Sequence, residues 1–356
     1  MCYNSDMDFS RPDNARKINK LKVLNALRRG SLSRAELSRE LIINKVSISE
    51  ITDSLIKDGL IESGEKDMST SGRPSTKLSI KKNSGRVFSF VFSQSTVTAS
   101  ASNLIGQVLR FERFPKDENM INQIASFINK MTADNPIVYG VTIVSEDKDE
   151  VPSSAFPWPV TYSSHVISQA KAEEEYTKRE KCLYVSWSDS IEAAYKNEIL
   201  FSIPTFGHMK VTNGITCSCG GNGCLNVVAS GLALKSSTGI NQYRKLTTEE
   251  RGLLAIDDAT KALSFALAEA VQALGAESIV ITGELSNMPS DLYASLSDKL
   301  KMTLPPNRES VTIYRAERGD KGVLEGAGII ALDKFFYSSE ILEKLKAIES
   351  SPSFLL

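Results

Sequence analysis

The first eighty residues show the apolar spacing of short helices, interrupted by polar turns. Within residues 14–29 apolar side chains recur every three to four positions, and Gly30 then ends the pattern. Ser33 is expected to begin a second helix, because Glu36 follows it at the spacing of a capping box. Asn44 is a suitable N-cap for a third helix that extends to about residue 58.

Two short strands, 60–63 and 76–80, surround a polar tip at 64–75. Three short helices followed by a hairpin predict a winged helix-turn-helix, in which the third helix is the recognition helix that enters a major groove. A three-helix protein-interaction module is the alternative. In the third helix, the residues predicted to face inward are Val46, Ile48, Ile51 and Leu55.

The residues predicted to contact DNA are mostly short polar or basic side chains: Arg34, Asn44, Lys45, Ser47, Ser49, Thr52 and Arg73. Such side chains at the start of a recognition helix suit contacts to base edges and phosphates. Arg73 stands between Gly72 and Pro74 in the polar tip and suits a narrow A·T-rich minor groove. Glu50 and Asp53 would repel phosphates if they point at DNA, so we expect dimerisation to compensate for a low affinity per domain.

Beyond residue 85 the pattern changes to strands that alternate with helices. Strands are predicted at 86–92, 96–102, 107–114, 137–143, 182–186, 278–282 and 311–314, and helices at 119–132, 190–198, 260–274 and 326–336. Strands that open with a meander and then alternate with helices predict an α/β body of two lobes.

A cluster of potential metal ligands lies in the middle of the body. His208, Cys217, Cys219 and Cys224 fall within seventeen residues. Three glycines and one asparagine separate Cys219 from Cys224. Thiolate and imidazole are preferred zinc ligands, and a closed set of four suits a tetrahedral structural site. The sequence therefore predicts a structural Zn²⁺ held by these four residues, with a glycine-rich turn that contains ordinary buried cysteines as the alternative.

Composition narrows the possible partners. The 356 residues suffice for two or three domains with hydrophobic cores, and no apolar run is long enough to span a bilayer. Neither a signal peptide nor a disulfide framework is visible, which predicts a cytoplasmic protein with no membrane partner. Residues 1–85 carry 16 basic and 11 acidic residues, whereas the remainder carries 26 and 32, so the N-terminal segment suits double-stranded DNA.

Several motifs resemble those of the ROK family (repressors, open reading frames, sugar kinases), particularly its xylose and N-acetylglucosamine repressors. The matching stretches are Leu32–Leu37, Asp58–Ile61, Gly72–Pro74, Gly207-His208, Cys217–Leu225, Ala229-Ser230, Ile279–Gly283 and Gly326–Gly328. The resemblance implies a winged helix-turn-helix at 1–82 and an actin-like, ribonuclease H-like body of sugar-kinase type at 83–356, with the zinc knuckle at 208–224. It also implies a homodimer or a homotetramer.

The chain departs from the family's kinases where those enzymes hold phosphate and sugar. The phosphate-binding Asp-x-Gly-Gly-Thr turn is replaced by residues 92–96, which contain no aspartate and no glycine. The Asn-Asp pair that carries the catalytic base appears as Ser188-Asp189, where Asp189 is either a hydroxyl-orienting acid or a helix N-cap. The family's kinases also hold phosphate with a glycine-rich strand-turn-strand before Gly207-His208. We expect only residues 199–206 of it to remain in this chain. Two sugar-binding glutamates correspond to Thr205 and Asn226.

These observations favour a transcriptional regulator without enzymatic activity, which represses carbohydrate-related genes. A modified or lost sugar site, with a possible carbohydrate effector, is predicted near Asp189, Thr205, His208 and Asn226. A ROK-type sugar kinase is one alternative. An oligomeric scaffold that binds no ligand and is controlled by a protein partner is the other.

Overall fold

The computed structural model describes residues 12–67, 75–93, 95–145, 151, 153–308 and 310–338. The chain divides into two compact units. Unit 1 combines residues 1–162 with 328–356, and unit 2 comprises residues 163–327. Within the described residues, no helix is both long and apolar enough to cross a bilayer.

The N-terminal part of unit 1, which we call the head, is a winged helix-turn-helix. Its elements are α1 (Pro12–Arg28), β1 (Leu32–Ser33), α2 (Arg34–Leu41), α3 (Lys45–Lys57), β2 (Ile61–Asp67) and β3 (Ser75–Ile80). The three strands form an antiparallel sheet in the order β1-β3-β2. This part of the predicted fold is confirmed.

Local hydrogen bonds fix both ends of the turn between α2 and α3. Ser33 and Glu36 form the predicted capping box, in which the Ser33 amide donates to Glu36 Oε2 at 2.7 Å. Lys77 of β3 donates to the same carboxylate at 2.7 Å and so connects the sheet to α2. Asn44 caps α3, because its Oδ1 accepts a hydrogen bond from the Ser47 amide at 2.8 Å.

The remainder of unit 1 is an α/β lobe. Its elements are β4 (Gly85–Phe92), β5 (Thr96–Ser102), β6 (Val108–Pro115), α4 (Met120–Met131), β7 (Ile137–Val144) and β8 (Val160–Ser163). The strand order is β6-β5-β4-β7-β8, with an antiparallel meander followed by the parallel pair β4 and β7. The predicted meander is thus present, with strand bounds that differ from the predicted ones by at most one residue.

Unit 2 repeats this arrangement. Its elements are α5 (His165–Thr177), β9 (Cys182–Trp187), β10 (Ile191–Lys196), β11 (Leu200–Ile203), α6 (Leu225–Ala229), α7 (Gly231–Thr238), α8 (Tyr243–Leu246), α9 (Glu250–Leu274), β12 (Ser278–Thr282), α10 (Ser290–Thr303), β13 (Thr312–Arg315) and the beginning of α11 (Gly322–Phe335). The sheet order β11-β10-β9-β12-β13 again joins an antiparallel meander to parallel strands. Two such sheets are the predicted actin-like architecture.

The helix predicted at 190–198 is wrong, because this segment is strand β10. Its alanines, glutamate and lysine favour a helix locally. In the structure β10 pairs with both β9 and β11, and its side chains alternate between two cores. Ile191, Ala193 and Tyr195 join one buried cluster and Ala194 joins another, so burial on both faces overrides the local preference.

The head shares a hydrophobic core with the lobe of unit 1. Buried side chains of α1 and α3 lie in one cluster with Val87 and Leu104 of the lobe and with Leu332 at the end of α11. Beyond α11, Tyr337 donates its hydroxyl to the Leu104 carbonyl at 2.8 Å, and Asn25 of α1 donates to the Tyr337 carbonyl at 3.0 Å. The domain boundary predicted at residue 82 therefore stays a prediction, since one hydrophobic core contains residues from both sides of it.

Candidate functional site

The recognition helix α3 exposes one face of its first two turns and buries the opposite face as a stripe along the helix. Lys45 and Glu50 are exposed, and Ser47 and Ser49 are half-buried. Val46 is 69% exposed, so its predicted inward orientation is wrong. The buried positions are Ile48, Ile51, Thr52 and Leu55. This i, i+3, i+4, i+7 spacing leaves Val46 outside the stripe.

Thr52 is the second correction on this helix, because its side chain is 0% exposed rather than directed outward. The Thr52 hydroxyl donates to the Ile48 carbonyl at 2.8 Å and accepts a hydrogen bond from Arg34 Nε at 2.9 Å. Both partners hold the hydroxyl inside the head, and Thr52 is not available to a nucleic acid. A hydroxyl that bonds the carbonyl four residues earlier can occupy a buried helical position at little cost.

Arg34 connects α2 to α3. Besides Thr52, its guanidinium contacts Asp53, with Nη2 and Oδ1 at 2.6 Å. This ion pair neutralises one of the two carboxylates that were expected to repel phosphates. Arg73 lies outside the described residues.

The four predicted zinc ligands converge. The ligand atoms of His208, Cys217, Cys219 and Cys224 all lie within 4.8 Å of one another. Cys217 Sγ is 3.5 Å from His208 Nδ1, and Cys219 Sγ is 3.6 Å from Cys224 Sγ. Ligands bound to one tetrahedral zinc lie about 3.5–3.8 Å apart, as follows from bond lengths of about 2.0–2.3 Å. The donor set and its spacing therefore fit Zn²⁺.

The knuckle that carries these ligands is held by backbone hydrogen bonds. The Cys217 amide donates to the Gly221 carbonyl at 2.8 Å, and the Gly221 amide donates to Cys219 Sγ at 3.4 Å. A hydrogen bond from the Cys219 backbone is the largest cause that lowers the pKa of Cys217 to about 6, which favours the thiolate that a metal requires. Gly223 has φ +76°, and a Cβ there would overlap the Thr212 carbonyl. Only glycine fits at that position.

Asp189 lies in the turn between β9 and β10 rather than before a helix, so its predicted role as a helix N-cap is wrong. Its Oδ1 accepts hydrogen bonds from Lys235 Nζ at 2.7 Å and from the Tyr243 hydroxyl at 2.5 Å. The Lys235 ammonium also lies 3.8 Å from the centre of the Tyr243 ring. Burial, and then the bond to Asp189, raise the pKa of Tyr243, so this hydroxyl stays protonated and donates.

The other predicted ligand-binding residues serve the neighbouring backbone. Asn226 Oδ1 accepts from the Ile191 amide at 2.8 Å, and its side chain lies directly against Gly207. Thr205 is exposed, and its carbonyl accepts from the His208 amide at 2.9 Å. The expectation that only residues 199–206 of the strand-turn-strand remain is corrected, since β10 and β11 form a complete hairpin that contains no glycine.

No local sequence pattern indicated that Lys235 and Tyr243 belong to this site. They follow Asp189 by 46 and 54 residues and come from α7 and α8, so only the packing of these helices brings them to the carboxylate. Lys235 and Tyr243 are thus residues around Asp189 that could not be predicted from the sequence.

Comparison with known proteins agrees with the architecture. Residues 202–334 match the sequence model of the ROK family, so this part of the chain is a ROK family domain and the resemblance seen in the motifs is confirmed. No curated protein matches the chain at a significant level.

Solved structures share the fold at low sequence identity. One is a ROK family transcriptional regulator described as a homologue of the E. coli MLC protein, with a TM-score of 0.75 and 20% identity over 92% of this chain and 99% of that one. A ROK hexokinase from Thermus thermophilus has a TM-score of 0.59 and 18% identity over 68% of this chain and 97% of its own. A ROK glucokinase from Streptomyces griseus, solved with glucose and AMPPNP, has a TM-score of 0.56 and 14% identity over 69% of this chain and 99% of its own. The regulator thus covers about a quarter of this chain more than either kinase does.

Proposed function

We propose that this protein is a DNA-binding transcriptional regulator that represses carbohydrate-related genes. The observation that carries the proposal is the winged helix-turn-helix head, whose recognition helix exposes Lys45, Val46 and Glu50 in its first two turns. Such a helix places its N-terminal residues against base edges when it enters a major groove. The proposed DNA contacts are Arg34, Asn44, Lys45, Ser47, Ser49 and Arg73.

Sugar phosphorylation is the competing function, because ROK kinases share the fold of the body. A base that accepts a proton from a sugar hydroxyl must be available to that hydroxyl. In Asp189, Oδ1 instead accepts hydrogen bonds from Lys235 Nζ and the Tyr243 hydroxyl, and the ammonium offsets the negative charge that a general base needs. No glycine stands in the hairpin of β10 and β11 or in residues 92–96, so backbone amides have no close approach to a phosphate there. We therefore infer that the protein is not an enzyme.

The metal centre supports a structural role. A zinc ion bound by His208, Cys217, Cys219 and Cys224 would have no open position, and it would stabilise the knuckle rather than activate water. The knuckle leads directly into α6, which begins at Leu225 and carries Asn226. Zinc would thereby fix the residue that holds the start of β10.

The effector site is a modified or lost sugar site. Oδ1 of Asp189 and Oδ1 of Asn226 already accept hydrogen bonds from the protein, so a sugar hydroxyl would have to compete with those donors at both atoms. Should a carbohydrate bind near Thr205 and His208, it would act by favouring one conformation of a cytoplasmic homodimer or homotetramer over another. The head would move with the lobe of unit 1 as one body, because the two share a core.

DNA binding is tested with the intact chain on fragments of its own genome, followed by fluorescence anisotropy at 50 to 300 mM salt on the fragments retained. We expect affinity to fall steeply with salt, because bound phosphates release counterions. Lys45→Glu should weaken binding about tenfold, as one phosphate contact becomes a repulsion. Lys261→Glu reverses the charge of another exposed lysine, on α9, and is the matched control.

Binding without salt dependence, or equal loss in both lysine variants, would overturn DNA binding by the head. A coupled ADP-release assay with a panel of hexoses tests the second inference. If the wild type phosphorylates any hexose and the Asp189→Asn variant does not, the inference that this protein has no kinase activity is wrong.

A further inference from the structure

Two exposed side chains of the recognition helix are unsuited to phosphate binding. Val46 offers an apolar surface that is 69% exposed, although polar or basic residues surround it at Asn44 and Lys45. Glu50 offers a carboxylate to a surface that should attract a polyanion. Phosphate contact explains Lys45 but does not explain Val46 or Glu50, so these two side chains need another role.

Val46 is outside the buried stripe of α3 and contributes little to the core of the head. An exposed aliphatic side chain in the first turn of a recognition helix can pack against the C5-methyl group of thymine, the one apolar group on the floor of the major groove. Neither a phosphate nor another base edge offers that contact. Its exposure therefore points to thymine.

Glu50 differs from its neighbour Asp53, whose charge is neutralised by Arg34. Among the residues that the structure describes, no hydrogen-bond or ion-pair partner is found for the Glu50 carboxylate. A carboxylate accepts hydrogen bonds only, so it is repelled by guanine, which presents two acceptors, and by the O4 acceptor of thymine. Cytosine presents the N4 amino donor. Adenine also has an amino donor, but its N7 acceptor lies beside it.

The two residues lie on the same face of α3, four positions apart, and their Cβ atoms are therefore about 5–6 Å from each other. Successive bases of one strand are about 3.4 Å apart along the helix axis. Side chains at this separation reach base pairs that are adjacent or one step removed. This matches two separate base contacts within one half-site.

We propose that Val46 and Glu50 are the base-reading pair of the recognition helix, with Val46 against a thymine methyl group and Glu50 accepting a hydrogen bond from a cytosine amino group. The proposal rests on the proposed function, since it requires that the head bind duplex DNA. The lysine and serines of the same helix then position the head, whereas the pair selects the sequence.

The test selects binding sites for the intact protein from duplexes with a random 20-base-pair core and compares wild type with Glu50→Gln, Glu50→Ala and Val46→Ala. In wild type we expect a motif with one cytosine and one thymine at most two base pairs apart. Glutamine bonds adenine through N6 and N7, so Glu50→Gln should exchange cytosine for adenine with a preference of about tenfold or more. Glu50→Ala should lose the preference without gaining adenine.

The thymine contact is tested on the selected duplex with deoxyuridine in place of that thymine. Loss of one methyl contact should reduce wild-type affinity about fourfold, and Val46→Ala, whose side chain offers less apolar surface, should discriminate less between the two duplexes. Glu62→Gln, an exposed acid on β2, is the control and should select the wild-type motif. Thermal unfolding should be unchanged in all variants, because the substituted side chains are exposed.

The outcomes separate the two proposals. If wild type selects no motif and binds no duplex, the proposed function is wrong. If wild type selects a motif that Glu50→Gln and Glu50→Ala both retain, or if deoxyuridine leaves its affinity unchanged, DNA binding stands and the base-reading pair is wrong.

Discussion

Two glycines of the metal knuckle provide a matched test of how the knuckle holds zinc. Gly220 and Gly223 both have positive φ, +85° and +76°, and both flank ligating cysteines. A Cβ at Gly220 would meet no atom within 4 Å. A Cβ at Gly223 would lie well inside 3.0 Å of the Thr212 carbonyl, a separation that real Cβ atoms do not show. Alanine at the two positions therefore causes the same backbone strain but a different steric effect.

The expected magnitudes follow from these contacts. A left-handed conformation costs an L-residue about 1–2 kcal/mol, and this is the whole effect expected of Gly220→Ala. In Gly223→Ala the backbone near Thr212 must also move away. The Gly223 carbonyl accepts hydrogen bonds from the Val211 and Thr212 amides at 2.9 and 3.2 Å, and these bonds would be lost. Two hydrogen bonds add about 1–3 kcal/mol, which corresponds to about a 5- to 150-fold further loss of zinc affinity.

Zinc affinity is measured by competition with a chromophoric chelator on each purified variant, and thermal unfolding is followed with and without the chelator. We expect wild type to bind zinc most tightly, Gly220→Ala less tightly and Gly223→Ala least tightly. The chelator should lower the unfolding temperature of wild type, because metal binding is coupled to folding of the knuckle. Equal zinc affinity of the two variants would refute the steric reasoning, and no stoichiometric zinc in wild type would refute the metal centre.

Three further predictions concern the head, each read by thermal unfolding. Ile42 is 92% exposed at φ +55°, so Ile42→Gly should stabilise the head by about 1 kcal/mol; destabilisation would mean that its side chain makes a contact. The pKa of Glu36 is lowered to about 2, chiefly by its hydrogen bond with Lys77. The stability it adds is therefore full above pH 4.5 and lost as pH falls toward 2, and Glu36→Gln should remove this dependence; an unchanged profile would contradict the pair. Leu332→Ala should cost about 2–5 kcal/mol, whereas exposed Leu254→Ala should change little; equal effects would contradict the shared core.

The features that could be predicted from the sequence are those fixed by neighbours along the chain. The capping box of Ser33 and Glu36 and the cap at Asn44 were expected from spacing alone, and the structure contains all of them. The knuckle was predictable for the same reason, because three of its ligands and its glycines fall within eight residues. Strands at 278–282 and 311–314 were predicted from short apolar runs bounded by turn residues, and the structure has them at 278–282 and 312–315.

Two of the wrong predictions concern burial that depends on residues distant along the chain. Residues 191–196 have the composition of a helix and become a strand because β9 and β11 pair with both of their edges. Thr52 is a polar residue that faces the core, because Arg34 and the Ile48 carbonyl satisfy its hydroxyl. Val46 has a local cause instead: it is apolar but faces solvent, because it lies outside the buried i, i+3, i+4, i+7 stripe of α3.

The chain order of its residues was enough to specify a helix-turn-helix head, an α/β body and a Cys₃His knuckle, because caps, periodicity and ligand spacing act over a few residues. Three-dimensional packing was needed to establish that Lys235 and Tyr243 occupy the Asp189 carboxylate and that α11 ends in the core of the head. Such contacts join residues tens to hundreds of positions apart. Their free energy depends on how helices and sheets fit together, and no local pattern records it.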